Sequence, residues 1–298
     1  MRALDSAALP SSWRSYAGIF WCRRAGLRDL TAMPRIERTL HATSLDAAWL
    51  AAYRTCVGLP ADSHAELPPL ALQIAAAPLH LAILADPQFP FKALGLVHVA
   101  QSVVQTERIA PQQPVTLRAY TTSAQQAHRG TQFGLVTEAL VDGRIVWRAE
   151  TTALAKNTAP NPDSTRTPRP GNPSDNAAAE PGWDQLAIVD VPEPLGRRYA
   201  AIAGDLNPIH QHALLARPFG FPRAIIHGTW TLARGLAAAA LPSTAGYSLE
   251  AQFRKPVSLP STIAISIRRE AQCDALRINS SDGSINHVNI RITHKEQV

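Results

Sequence analysis

Between Lys156 and Trp183 the chain reads KNTAPNPDSTRTPRPGNPSDNAAAEPGW. Six prolines stand among Asn, Ser, Asp and Thr, and no hydrophobic period runs through them. Such a stretch cannot bury a core and reads as a partly extended linker. Taken as residues 156–184, it divides the 298-residue chain into two units, 35–155 and 185–298. Residues 1–34 form an N-terminal extension. Each unit has the length of one small domain.

The two units read as diverged copies of one pattern. Tyr53 is followed five residues later by Gly58, and Tyr199 five residues later by Gly204. Gly95 leads to Ala100–Gln101 at the spacing by which Gly246 leads to Ala251–Gln252. Helices are expected at Leu45–Cys56, Leu70–Leu84, Pro208–Ala216 and Gly228–Ala240. Strand-like runs cover Leu94–Val104, Val115–Ser123, Phe133–Val141 and Arg144–Ala155 in the first unit. In the second they cover Ser248–Pro256, Thr262–Glu270, Ala275–Ser280 and Ile285–Thr293. A helix followed by an antiparallel meander predicts an α+β class, with a sheet wrapped round a helix in each unit.

Chemistry concentrates in YAAIAGDLNPIHQHALLA, Tyr199–Ala216, followed by AIIHGTW, Ala224–Trp230. Asp205, Asn207 and His210 fall within six residues. Asn207 is a preferred helix cap, and Pro208 suits the first helical position, where its missing N–H costs nothing. His210 then lies in a first turn, where the positive helix end disfavours a protonated imidazole. The result is a neutral base beside a carboxylate, suited to proton transfer at neutral pH. His212, two residues on, points to another helix face and is expected to be structural or exposed. Asn207 is a cap on any reading; a second task, bonding Asp205 or a substrate, stays open.

This stretch resembles, nearly position by position, the hydratase 2 signature of MaoC-like dehydratases and (R)-specific enoyl-thioester hydratases. The downstream IIHG resembles the family's second block, and FPFKALGLVHV (Phe89–Val99) resembles the first half of its double-hotdog bacterial members. Two residues depart from the pattern: Ala203 stands where serine is common, and Thr229 where methionine is. The resemblance implies a double hotdog fold and reversible hydration of trans-2-enoyl thioesters on coenzyme A or acyl carrier protein. It implies Asp205 and His210 as the catalytic pair, Asn207 as the orienting amide and the Gly228 N–H as oxyanion donor. No cofactor is implied. How Asp205 and His210 divide the acid and base roles is left open. Two other readings stay in view, a hotdog thioesterase and a non-catalytic acyl-thioester binding subunit.

Around that core the remaining signals are weaker. His227 precedes a glycine at a helix start; a buried group bonded to backbone is the first reading and substrate contact the second. Arg254, in FRKPV with Lys255, reads as solvated charge or as a contact to substrate phosphate. His80 and His98 sit in apolar runs and read as satisfied core histidines. The first unit lacks the Asp and NPIH of the second and is expected to complete the fold. Its Leu70–Leu84 helix is expected to line an acyl tunnel.

Composition excludes several classes. A net charge of +6 suits solubility or attraction of an anionic partner. Basic residues do not alternate with aromatics, and no nucleic-acid motif is present. Cys22, Cys56 and Cys273 are too scattered for a disulfide framework, and no cluster has metal-ligand spacing. Neither a signal-peptide pattern nor an apolar run of membrane-spanning length occurs; Leu70–Ala85 contains Pro78 and His80. A cytoplasmic enzyme is expected, as a monomer with internal pairing or as a homodimer.

Overall fold

The computed structural model describes residues 19, 24, 26–27, 29–62, 66–156, 182–240 and 246–295. Most of the expected linker, and most of the first 28 residues including Cys22, lie outside them.

Among the described residues ten strands form one sheet. In chain order they are β1 (Glu37–Thr43), β2 (Val97–Gln105), β3 (Val115–Ala127), β4 (Gly130–Val141) and β5 (Arg144–Lys156). The second set is β6 (Asp184–Val191), β7 (Gly246–Phe253), β8 (Ser261–Arg269), β9 (Cys273–Ser280) and β10 (Asn286–Lys295). They lie in the order β1-β3-β4-β5-β2-β7-β10-β9-β8-β6. Read inward from either edge, each set takes the same course: first strand, third, fourth, fifth, second. The chain is therefore a structural repeat, a double hotdog, joined where β2 and β7 pair antiparallel from Ala100–Gln252 to Gln105–Tyr247.

Alternation explains the strands. Ile263, Ile265 and Ile267 of β8 and Leu276 and Ile278 of β9 are buried, with more accessible residues between them, as a pleat with one covered face requires. The helix Gly228–Ala239 (called α6 below) packs on this face. A Cβ on Gly235 would meet Ile278 Cδ1 at 2.7 Å, so the glycine permits the close approach.

Among the described residues the other α-helices named are α1 (Ala47–Val57), α2 (Ala71–Ala75), α3 (Ala77–Ala85), α4 (Pro194–Ala203) and α5 (Ala213–Ala216). The Asp46 side chain caps α1 by accepting from Trp49 N at 2.7 Å. Gly58 and Gly204 end α1 and α4 in the left-handed region, at φ 83° and 68°. Tyr53 and Tyr199 are both fully buried. The matched Tyr–Gly spacing thus marks equivalent helix ends in the two halves.

Two expected elements differ, and three others were not expected. The single helix over Leu70–Leu84 is two, α2 and α3. Pro78 lacks an N–H and its ring would strike the carbonyl four residues back, so the chain restarts with Pro78 in a first turn. The expected Pro208–Ala216 helix is a 3-10 turn at Pro208–His210 and the one-turn α5. Between them His212 is extended (φ −158°) and caps α5 through Nδ1, accepting from Leu214 N at 3.2 Å. Strands β1 and β6 and helix α4 were not foreseen.

The halves interlock beyond the β2–β7 seam. Trp49 of α1 donates its indole N–H to Ile202 O of α4 at 2.9 Å. Trp230 of α6 donates to Cys56 O of α1, also at 2.9 Å. Cys56 and Cys273 are free thiols. Among the described residues no helix is long and apolar enough to cross a membrane.

Candidate active site

Gly204, at the left-handed end of α4, turns the chain sharply into Asp205. The Asp205 Oδ1 accepts from Asn207 N at 3.1 Å, and Asn207 Oδ1 accepts from Ile209 N at 3.3 Å. Two side-chain turns thus set the loop, and Pro208 begins the 3-10 turn that carries His210. Asn207 engages the carboxylate through its backbone N–H.

His210 is buried (7% exposed), and its Nδ1–H donates to Ile225 O at 2.8 Å. That tautomer leaves the Nε2 lone pair free, 3.9 Å from Asp205 Oδ2. The gap is too long for a direct hydrogen bond, but one oxygen can reach both atoms at about 2.8 Å. The Asp205 side chain is half exposed, at 51%.

His227 completes the cluster. Its ring stacks on that of His210 with centroids 3.6 Å apart, and its Nε2–H donates to Asp205 O at 3.1 Å. Nε2 also lies 3.8 Å from Asp205 Oδ2. The Nδ1 is buried with no hydrogen-bond partner. His227 therefore holds the Asp205 backbone and walls the His210 ring. Tyr199 packs against it at 5.0 Å and donates its hydroxyl to Thr229 Oγ1 at 3.2 Å.

Burial pushes His210 below the usual histidine range, against the pull of Asp205 and the Ile225 carbonyl. Burial, then the neighbouring His210, pushes His227 down to about 3. For Asp205, whose exposed half faces the cavity, desolvation by the surrounding walls acts upward, but His227, His210 and the Asn207 N–H outweigh it, and the carboxyl lies below its ordinary value. At neutral pH the pair is a carboxylate and a neutral imidazole. The neutral His210 has a different cause from the one expected. A three-residue 3-10 turn supplies little helix field, and desolvation dominates.

Asp205, His210 and His227 place potential ligand atoms within 4.8 Å of one another, a grouping that linear spacing hid. His227 Nε2 is engaged with the Asp205 carbonyl. Asp205 and His210 are then two ready donors, short of the three that catalytic zinc sites use.

α6 opens at Gly228 beside this cluster. Its N-cap residue, His227, makes no side-chain capping bond, and no hydrogen bond among the described residues takes the Gly228 N–H. A Cβ there would stand 3.0 Å from the Phe253 ring, so a larger residue would displace that ring.

Asp205, Asn207, His210, His227, Gly228 and Phe253 line one cavity of about 2140 Å³. Arg254, exposed, lines it, as do Lys255, Arg24, Lys92, Arg129 and Lys156; Asp205 is the one carboxylate in the described lining. Arg24 belongs to the expected N-terminal extension and is anchored by donating to Asp86 O at 2.6 Å. The Leu70–Leu84 segment contributes nothing to the lining, contrary to expectation; it packs as core. Instead Phe91, Leu96 and His98 enter from the first half. His80 is satisfied by Thr137 Oγ1 at 2.7 Å, as expected. His98 is satisfied only in part: its ring lies within bonding reach of the Ala100 backbone and the Gln101 side chain, while its Nε2 is buried without a partner. His98 and Phe253 are among the cavity residues that residue reading missed. The signal for them was the shared Gly95 and Gly246 spacing, which pairs their strands.

Residues 183–289 match the model of the MaoC like domain. Over 254 residues the chain is 31% identical to 3-hydroxyacyl-thioester dehydratase X of Mycobacterium tuberculosis, covering 82% of this chain and 86% of that protein. The chain belongs to the MaoC-like dehydratases. Among solved structures, HtdX of Mycobacterium tuberculosis superposes with a TM-score of 0.73 at 26% identity, over 87% of this chain and 100% of that one. A MaoC-like dehydratase from Phytophthora capsici shares the fold, with a TM-score of 0.67 at 16% identity over 90% of this chain and 97% of that one.

Proposed function

We propose that this MaoC-like dehydratase interconverts trans-2-enoyl and (3R)-hydroxyacyl thioesters through Asp205 and His210. The observation that carries the reading is the Asp205 Oδ2–His210 Nε2 gap of 3.9 Å, opening into the cavity beside Gly228. Water held between the two atoms loses a proton to one of them as its oxygen bonds to C3. The electrons of the C2–C3 double bond move to the thioester oxygen. The same proton then returns to C2, so the pair ends as it began. Dehydration is the reverse. Both groups rest unprotonated, and a single shuttled proton satisfies the balance.

The transient charge sits on the thioester oxygen, where the Gly228 N–H is proposed to receive it. Loss of one such donor typically costs roughly 10²–10³ in rate. Asn207 is the proposed orienting residue, through its N–H on the carboxylate. His227 keeps the Asp205 backbone and the His210 ring in place. Arg254 and the other cations of the lining favour an anionic carrier, coenzyme A or acyl carrier protein. Residues 35–155 and 185–298 act as one working unit, because the β2–β7 pairing joins them within a single chain.

Incubation with crotonyl-CoA tests this reading. Loss of enoyl absorbance with the thioester intact is the expected result. Release of free thiol would make the protein a thioesterase, and binding without turnover a non-catalytic subunit; either outcome overturns the proposal.

A further inference from the structure

The first half supplies a polar side chain to the cavity from an irregular point in the sheet. In the β2–β5 ladder His98 pairs with Ala153 and Ala100 with Thr152, so Val99 is an extra residue. Bulges of this kind re-aim side chains and concentrate near active sites. The β2–β7 pairing begins only at Ala100–Gln252, which leaves His98 beside Phe253, past the paired stretch. The two rings lie 4.5 Å apart, tilted by 48°. Phe253 in turn stands against Gly228. One wall of the cavity thus runs from Gly228 across Phe253 to His98.

The His98 ring lies within bonding reach of the Ala100 backbone and the Gln101 side chain, but its Nε2 is buried without a protein partner, although the ring lines the cavity. Leaving such an atom unpaired is costly, and structures seldom do so without a use. An alkyl chain laid over it would keep it unpaired. Phe253 is followed in the chain by Arg254 and Lys255, both exposed and both in the lining. The strand that brings Phe253 to His98 thus also brings two cations to the lining, which suits the carrier arm rather than the acyl tail.

Resting on the hydratase reading above, we propose that His98 is a substrate-contacting residue that hydrogen-bonds the thioester-proximal amide of the pantetheine arm through Nε2. That amide lies two methylenes from the thioester sulfur, so it falls beyond a carbonyl held at Gly228. It offers both an N–H and a C=O and so suits either tautomer of the ring. Burial lowers His98 to about 4, which keeps it neutral at working pH. The half without the acid–base pair thereby selects the carrier arm.

The test compares the wild type with His98→Leu and His98→Gln on two crotonyl thioesters. The N-acetylcysteamine thioester has the amide; the S-ethyl thioester lacks it. The wild-type advantage over His98→Leu in kcat/KM should be about tenfold to a hundredfold on the first. It should shrink at least severalfold on the second. His98→Gln, which can donate and accept, should recover part of the loss on the first. An equal loss on both substrates, or no loss on the first, overturns the contact. A wild type idle on both thioesters and on crotonyl-CoA overturns the hydratase reading, and the contact falls with it.

Discussion

The indole N–H of Trp230 donates to the carbonyl of Cys56 at 2.9 Å, across the two halves of the chain. Trp230 lies in the first turn of α6, two residues after Gly228, and is almost fully buried. The position of the Gly228 N–H is therefore referenced to α1 of the other half. Residues 185–298 expressed alone should not give an active enzyme, although they hold Asp205, His210 and Gly228. Removing the first half would expose the β7 edge and the apolar faces of α4 and α6. Gel filtration and a crotonyl-CoA assay check this; a monomeric fragment with full activity would refute it.

Asp205→Asn and His210→Ala should each lower kcat by at least about a hundredfold, the scale of general acid–base groups. Asn at 205 keeps an acceptor for Asn207 N, so the loop should persist and circular dichroism should be unchanged. Turnover near the wild-type rate in either variant would remove the residue from the mechanism.

Gly196→Ala tests the scaffold under His210. A Cβ on Gly196 would collide with the His210 carbonyl oxygen and lie 2.8 Å from Leu259 Cδ1. The 3-10 turn must shift to admit it. We expect a stability loss of about 1–3 kcal/mol, as for an overpacked core, and a fall of at least about tenfold in kcat. A variant with unchanged kcat and melting temperature would show that the contact relaxes without moving His210.

Acid should affect rate and stability in a defined window. His210 is lowered by burial, so it stays neutral as pH falls through the ordinary histidine value. The acid limb of kcat/KM should accordingly lie below pH 6.5. For stability, the folded pKa of His227 is depressed to about 3 from 6.5. The unfolded state then binds more protons, and stability is full above about 6.5 and lost as pH falls towards 3. The loss approaches about 1.4 kcal/mol per pH unit for this group. His80 and His98, each lowered to about 4, act with the same sign. A melting temperature flat between pH 6.5 and 4.5 would contradict this account.

The local sequence by itself determined the backbone of the site. Glycine's freedom at positive φ, the short capping side chain of Asn207 and the ring of Pro208 act within six residues, so Asp205 and His210 could be read together. Matched Tyr–Gly spacings likewise disclosed the repeat, because each glycine ends a helix whatever lies around it. Strand-like residues and alternation located eight strands, and in β8 and β9 alternate residues face a covered layer. These signals passed over β1 and β6, the two edge strands of the sheet. What only the tertiary structure decided depends on contacts distant in the chain. His227 stacks on His210 from seventeen residues away, and His98 arrives from the other half through the β2–β7 seam. The neutrality of His210 was anticipated from a helix end but arises from desolvation. Desolvation is set by everything packed around a group, and no local pattern encodes that.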